Sequence, residues 1–216
     1  MRQSIAAGAL LLALTACGAD GDPNDEAVDR GSSDQSQTPS SAADGLPSEI
    51  PAADGMVRTR EPATVMGTAK GTMLCLGAVL ESYPPQCSGP PVRRWNWDGP
   101  GLYEQQGEAR WGTFAVTGSW NGKRFTVKSA ISSALYDPPS EEPPPLPTPA
   151  RDYSQAELDD LAVELSRTVP GVLSASADAE GHVLIDVVYD DGTLQDALDA
   201  NHGAGVVVVT SALVPV

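Results

Sequence analysis

The sequence predicts an α+β protein in which a small antiparallel β-barrel is followed by a small αββαβ unit. Glycine-punctuated strand signals fill residues 62–136, and Asn121-Gly122 is a strong hairpin signal within them. Apolar residues at helical spacing then follow a helix-capping signal at Ser154. A proline-rich stretch, residues 137–152, separates the two units. Both units are small for an independent core, so a covalent link in one of them would add needed stability.

The first unit, residues 62–136, carries four or five strand signals and no amphipathic helix. They lie in ATVMGTAKGTMLCLGAVLES, in ARWGTFAVTGSW, in KRFTVKSAI and in RRWNWD, where alternation places Trp95 and Trp97 on one face. Such a set of strands favours a small barrel or sandwich. The stretch LCLGAVLESYPPQC, with the later pattern WG-x-F-x-V-x-G-x-W-x-G-x-x-F, resembles the small OB-like domains of secreted actinobacterial proteins that have no assigned activity. That resemblance implies an OB-like barrel.

The second unit, residues 153–216, has the predicted order α-β-β-α-β. Ser154 and Glu157 form a capping box, and Pro170-Gly171 ends the first helix. The apolar positions at helical spacing between them are Leu158, Leu161, Ala162, Leu165 and Val169.

Two strands, a second helix and a last strand complete that unit. The two strands lie in VLSASADAEGHVLIDVVYDDG with a turn at 179–181, and the helix starts near Thr193. The final stretch GVVVVTSALVPV is apolar throughout, as is typical of a central strand. The order of elements is similar to that of BON-type envelope domains. The resemblance implies a binding or envelope-associated role.

The beginning of the chain, MRQSIAAGALLLALTACGAD, predicts a lipoprotein signal peptide over residues 1–16. The apolar run of residues 5–14 has the length of a signal-peptide core and is too short to span a bilayer. Leu14-Thr15-Ala16-Cys17 resembles the lipobox of bacterial lipoproteins, which implies acylation of Cys17 and an anchored position on the extracytoplasmic face of the cell membrane. The alternative is a buried helix with a chance cysteine, but the polar stretch after Cys17 disfavours it.

Two segments of low hydrophobicity are predicted to stay outside the folded units. Residues 17–61 are acidic and poor in large apolar side chains, which predicts a disordered stalk. Residues 137–152, with clustered prolines, predict a semi-rigid spacer in the polyproline conformation.

Cys75 and Cys87 are predicted to form a disulfide. Acylation of Cys17 leaves an even pair in an oxidising compartment, and the pair lacks the C-x-x-C spacing of a redox motif. A zinc site would need further ligands, and His182 and His202 are distant in sequence. Closing this short loop contributes roughly 3 kcal/mol in the chain-entropy description.

The charge distribution excludes nucleic acid as the partner. The formal net charge is −16, and residues 151–216 contain twelve acidic and two basic side chains. Nucleic-acid binding needs the opposite sign. A cationic partner is compatible with this charge, although no motif specifies one.

No pattern of residues predicts catalysis, a metal or a cofactor. Phosphate loops, G-x-S-x-G, H-E-x-x-H and S-x-x-K are all missing from the sequence. We expect capping or surface roles for His182 and His202, and turn chemistry rather than a calcium site for Asp190-Asp191-Gly192. Glu141 and Glu142 lie in the spacer, which provides no rigid frame for an acid–base pair.

Trp95 and Trp97 are the candidate ligand-binding residues, because exposed tryptophans stack on sugars and on partner side chains. The alternative is that all four tryptophans form the core of a small unit. The leading hypothesis is a non-enzymatic lipoprotein that displays two small domains to an envelope protein partner. Its rivals are a binder of cell-wall glycan through Trp95 and Trp97, and an envelope hydrolase or isomerase whose catalytic groups the sequence does not reveal.

Overall fold

In the part of the chain that the structure describes, nine strands precede the first long helix. The computed structural model describes residues 45–138 and 144–216. The strands are β1 (Met56–Thr59), β2 (Ala63–Thr68), β3 (Gly71–Cys75), β4 (Val79–Leu80), β5 (Gln86–Cys87), β6 (Val92–Arg93), β7 (Glu104–Gln106), β8 (Ala109–Trp120) and β9 (Phe125–Ser132). A 3₁₀ turn, Ser133–Leu135, follows β9.

The remaining elements follow the predicted order α-β-β-α-β and end with one extra strand. They are α1 (Gln155–Thr168), β10 (Val172–Ala177), β11 (Val183–Val187), α2 (Thr193–His202), β12 (Val207–Ser211) and β13 (Leu213–Pro215). The predicted capping box is present, since Ser154 and Glu157 exchange hydrogen bonds at the start of α1. Neither described helix is long and apolar enough to cross a membrane.

Strand β8 is the centre of the larger sheet. It pairs with β1, β2, β7 and β9, and every second residue from Phe114 to Trp120 is buried because successive residues of a strand point to opposite faces. Trp111 is buried on the other face, in a separate cluster with Met66 and Cys75. The predicted hairpin joins β8 to β9, and the Asn121 side chain accepts hydrogen bonds from the backbone N–H groups of Lys123 and Arg124.

The larger sheet is not a barrel closed by continuous pairing. Strand β6 pairs in parallel with β9, but β3 and the segment before β6 share only an isolated bridge between Met73 and Pro91. The Leu74 N–H also donates to the Pro90 carbonyl at 3.0 Å. Since neither proline has an N–H, a full ladder cannot form between these segments. The described architecture is therefore mixed α+β, and the predicted closed barrel is not found in it.

Part of the segment predicted as a stalk belongs to the folded unit. The sequence predicts a stalk through residue 61, whereas β1 pairs with β8 and residues 50–53 pack beside Trp120. The Trp120 indole N–H donates to the Pro51 carbonyl at 2.9 Å, and the Ala53 N–H donates to the Trp120 carbonyl at 3.0 Å. The aliphatic side chains of Ile50 and Ala53 cover apolar surface there, which offsets the entropy of ordering this segment.

The last apolar segment serves two sheets rather than forming one central strand. Strand β12 lies at the end of the β10-β11-β12 sheet and runs parallel to β11. The chain then leaves this sheet, and β13 pairs antiparallel with β1. Val188 and Tyr189, just after β11, pack into the core of the larger sheet. The two predicted units consequently share backbone pairing and core contacts.

The C-terminal part of the predicted spacer lies against the αββαβ unit. The Pro147 carbonyl accepts a hydrogen bond from the His182 ring at 2.9 Å, and the Ala150 N–H donates to the Ala204 carbonyl at 2.8 Å. Residues 139–143, which include Glu141 and Glu142, lie outside the described residues. Residues 147–150 are thus fixed to the fold by hydrogen bonds rather than extended away from it.

Candidate functional site

The predicted disulfide between Cys75 and Cys87 is present. Cys75 is buried at the end of β3, and Cys87 ends the short hairpin of β4 and β5. Within that hairpin Val79 pairs with Cys87, and Leu80 pairs with Gln86. The bond therefore fastens the β4–β5 hairpin to the buried end of β3, although both side chains of β4 remain exposed.

A cleft of about 450 Å³ lies next to this hairpin. One wall is formed by the residues after β3, with Leu76 and Val79 among them, and the opposite wall by Leu173 and Ser174 of β10. Leu173 also packs next to Gly77. Most of the cleft surface is apolar. The cleft therefore lies between the larger sheet and the αββαβ unit and suits an apolar side chain.

The outer edge of β10 is open beside this cleft. Strand β10 ends the β10-β11-β12 sheet, and no further strand pairs with it among the described residues. The Asp178 N–H donates to the His182 carbonyl, so these two residues form a hydrogen-bonded pair. Along the antiparallel ladder, hydrogen-bonded pairs alternate with non-hydrogen-bonded pairs, which places Ala175 and Ala177 in the second kind. Ala175 and Ala177 accordingly direct their backbone N–H and C=O groups outward. An extended chain could hydrogen-bond to this edge.

Polar groups at the rim of the cleft are mostly engaged with one another. The Arg60 Nε donates to the Ser211 carbonyl at 2.8 Å, and the Ser174 hydroxyl donates to an Asp186 carboxylate oxygen at 2.6 Å. Glu61 also lies at the rim. Together with the excess of acidic side chains in residues 151–216, this rim favours a positively charged ligand.

The four tryptophans divide between the core and a half-buried cluster. Trp111 and Trp120 are buried, whereas Trp95 and Trp97 are half-buried and lie in irregular chain after β6 rather than in a strand. The Trp95 ring contacts Trp97 with centroids 5.3 Å apart and Phe114 with centroids 5.0 Å apart, both edge-on. The Trp95 indole nitrogen is buried and has no hydrogen-bond partner among the described residues. Trp95 thus serves chiefly as packing.

Trp97 is the member of the pair that borders open space. Its ring lies directly over Gly67 of β2, where a Cβ atom would come within 2.8 Å of it. It also contacts the Tyr103 ring at 5.2 Å between centroids. Beside it is a shallow groove of about 460 Å³ whose other lining residues include Gln105 and Arg110.

His182 is buried and connects three segments of the chain. Its Nδ1 lies 2.8 Å from an Asp178 carboxylate oxygen, and its Nε2 lies 2.9 Å from the Pro147 carbonyl oxygen. Because both neighbours only accept hydrogen bonds, both ring nitrogens must donate, and the imidazolium form satisfies them. Burial opposes the charge, yet the hydrogen bonds to Pro147 and Asp178 outweigh it and raise the pKa of His182. The expected surface or capping role is replaced by a buried structural one.

Three potential metal ligands lie close together beside His182. One ligand atom from each of Asp178, Glu180 and His182 lies within 4.8 Å of the other two. Both histidine nitrogens already donate hydrogen bonds, so neither offers a lone pair to a cation. The Asp178 carboxylate also accepts from the backbone N–H groups of Glu180 and His182. The cluster is therefore a hydrogen-bonded turn.

The carboxylates of Asp190 and Asp191 cap the second helix. Asp190 accepts from the Leu194 and Gln195 N–H groups, and Asp191 accepts from the backbone and hydroxyl of Thr193. These bonds are the turn chemistry that the sequence predicts there.

His202 is the last residue of α2, and Cys17 lies outside the described residues. Comparisons with known protein families, with curated protein sequences and with solved structures found no match.

Sequence reasoning missed the cleft and the open edge of β10. The sequence signal was the apolar pair Val79-Leu80 between Cys75 and Cys87, and the structure shows that this pair is exposed beside the cleft. The role of Leu173 had no signal, because it depends on a contact with Gly77, about a hundred residues away in sequence.

Proposed function

We propose that this protein is a non-enzymatic envelope lipoprotein, acylated at Cys17 and held at the extracytoplasmic face of the cell membrane, that binds a partner protein. The cleft beside the open edge of β10 is the observation that supports this proposal. It combines apolar walls, unpaired backbone groups and an acidic surrounding. These are the features that strand-adding peptide sites use.

The proposed occupant is an extended segment of the partner with apolar and basic side chains. Its backbone adds to β10 at Ala175 and Ala177, one apolar side chain fills the space near Leu76, and basic side chains meet the acidic surface. The Cys75–Cys87 disulfide holds one wall of the cleft in place.

The first test removes one outward N–H without removing a ladder hydrogen bond. Ala175→Pro does this, because proline at an edge position lacks only the N–H that faces away from the sheet. Ala175→Ser is the matched control, since it keeps the N–H. Losing one backbone hydrogen bond of about 1 kcal/mol, together with the bulk of the ring, should weaken partner binding about fivefold or more.

A photo-cross-linking residue in place of Val79 identifies the partner in intact cells. The same residue in place of Val163, which is similarly exposed on α1, is the control position. We expect one partner peptide, apolar and basic, to be cross-linked at position 79 and not at 163. That cross-link should persist in Ala175→Ser and become clearly weaker in folded Ala175→Pro. Equal cross-linking at both positions, or no effect of the proline, would contradict the proposal.

The OB-like and BON-like resemblances remain part of this proposal. The succession of pairings β3-β2-β8-β9-β6, with the Met73–Pro91 bridge between its ends, supports the first. The order α-β-β-α-β supports the second. Both kinds of domain would be consistent with a binding role.

A second candidate function is the binding of cell-wall glycan at Trp97. The groove between Trp97, Gln105 and Arg110 offers an aromatic ring next to hydrogen-bonding side chains, which suits a sugar. Wall fragments should then change tryptophan fluorescence, and Trp97→Ala should abolish the change. Loss of glycan binding in Ala175→Pro but not in Trp97→Ala would argue against this candidate.

A further inference from the structure

A groove of about 800 Å³ opens where β3, the chain around β6 and the start of β9 diverge. It lies where continuous pairing between β3 and β6 is missing and the Met73–Pro91 bridge is the main link. Four positively charged side chains line it, namely Lys70, Arg93, Arg94 and Arg124.

These four cations come from three separate parts of the chain. Lys70 lies in the tight turn between β2 and β3, and Arg124 directly precedes β9. Arg93 is in β6, whose parallel pairing with β9 places it opposite Thr126. Arg94 follows with a φ of 60°, a left-handed conformation that costs energy for a residue with a side chain. The fold therefore gathers these charges against their mutual repulsion.

The charge of the groove is not neutralised by neighbouring carboxylates. No acidic side chain lines it, and none of the four cations forms an ion pair or a side-chain hydrogen bond within the described parts of the chain. By contrast, the adjacent Lys123 pairs with Glu49 at 3.4 Å. Residues 62–150 contain only seven basic side chains, and four of them line this one groove of a chain whose net charge is −16.

We propose that this groove binds a phosphate group of a small molecule or of a lipid headgroup. Three guanidinium groups offer the planar, paired donors that match phosphate oxygens, and the ammonium group of Lys70 adds a point charge. Thr72 and Thr126 add hydroxyl groups to the lining. A phosphate group with two negative charges needs more than one cation to neutralise it, and four cationic side chains line this groove.

The remaining surface sets the size of the ligand. The αββαβ unit is strongly acidic and would repel a long polyanion. A compact phosphate-bearing group avoids that repulsion because it is confined to the groove. The site is separate from the cleft beside β10, so either proposal can fail without the other.

The test compares two double variants of the full chain, both with Cys17→Ser to prevent acylation. The groove variant is Arg93→Gln with Arg94→Gln. The control is Lys128→Gln with Arg167→Gln, which removes the same charge from positions that do not line the groove. Thermal unfolding confirms that both are folded, as expected for exposed positions. Calorimetric titration with inorganic phosphate and pyrophosphate, and co-sedimentation with phosphatidylcholine vesicles with or without phosphatidylglycerol, then distinguish the two sources.

We expect at least tenfold weaker pyrophosphate binding in the groove variant and less than a twofold change in the control. If instead the phosphatidylglycerol-dependent part of vesicle binding is lost only in the groove variant, the ligand is a headgroup. The proposal would be overturned if the protein with the native groove bound neither the phosphate compounds nor the phosphatidylglycerol vesicles. Equal loss of binding in the groove variant and the control would also overturn it.

Discussion

Removal of the Cys75–Cys87 disulfide should lower the free energy of unfolding by about 3 to 4 kcal/mol. The bridge joins residues 12 positions apart, and closing a loop of that size in the unfolded chain corresponds to about 3 kcal/mol. Cys75 is only 2% exposed, so replacing its sulfur by hydrogen leaves a small cavity and adds up to about 1 kcal/mol. The double variant Cys75→Ala with Cys87→Ala removes both contributions without introducing a buried hydroxyl.

Urea denaturation of the oxidised protein and of this double variant measures the difference directly. For a unit of this size the same loss corresponds to a fall in Tm of about 6 to 16 °C. Reductant provides the control, since it should destabilise the native sequence and leave the double variant unchanged. A difference below about 1 kcal/mol would refute the loop-closure reasoning, and so would equal sensitivity of both proteins to reductant.

Three further predictions concern single contacts. Because the pKa of His182 is raised in the fold, its stabilising charge is fully present below its ordinary pKa of about 6.5 and is lost as pH rises through the folded-state value. Urea denaturation gives the free energy of unfolding of the native protein and of His182→Gln. The difference between the two should therefore be larger at about pH 6 than at about pH 9. Gly89→Ala should destabilise by about 2 kcal/mol or more in the same assay, since its Cβ would overlap the Leu74 carbonyl of β3. Gln195→Ala should cost about 1 to 3 kcal/mol in thermal or urea unfolding, because the Gln195 amide bonds to Val207 and Val209 along the edge of β12.

Each of these predictions has an outcome that contradicts it. An unchanged stability difference between His182→Gln and the native protein across this pH range would mean that the ring is not charged in the fold. For Gly89, the matched control is Gly55→Ala, where no atom lies within 4 Å of the added Cβ, and equal effects of the two would remove the steric argument. For Gln195, an unchanged unfolding free energy in the alanine variant would show that water replaces both hydrogen bonds.

Local signals in the sequence predicted the elements that depend on nearby residues. Three predicted features are present, namely the capping box at Ser154, the hairpin at Asn121-Gly122 and the order of the αββαβ unit. They could be predicted because each depends on contacts within a few residues or on simple periodicity. The Cys75–Cys87 pair was predictable from cysteine number and spacing.

Features that depend on distant contacts could not be predicted. The segment that forms β1 has few large apolar residues, and it is ordered because β8 and β13 both pair with it. The larger sheet is not closed by continuous pairing because Pro90 and Pro91 cannot donate to β3, which no periodicity reveals. The convergence of Arg93 with Lys70 likewise depends on strand arrangement and not on their spacing.

The position of β1 between two antiparallel partners has a mechanical consequence. In the proposed anchored protein, tension between the membrane and a bound partner enters the fold from the N-terminal side of β1. Hydrogen bonds in antiparallel ladders lie at right angles to the strands, so a pull along β1 loads its bonds to β8 and β13 in shear and all together. A strand loaded this way resists force better than one peeled off bond by bond. In the proposed anchored protein, β1 would therefore act as a clamp, together with the hydrogen bonds that Pro51 and Ala53 make to Trp120 before it.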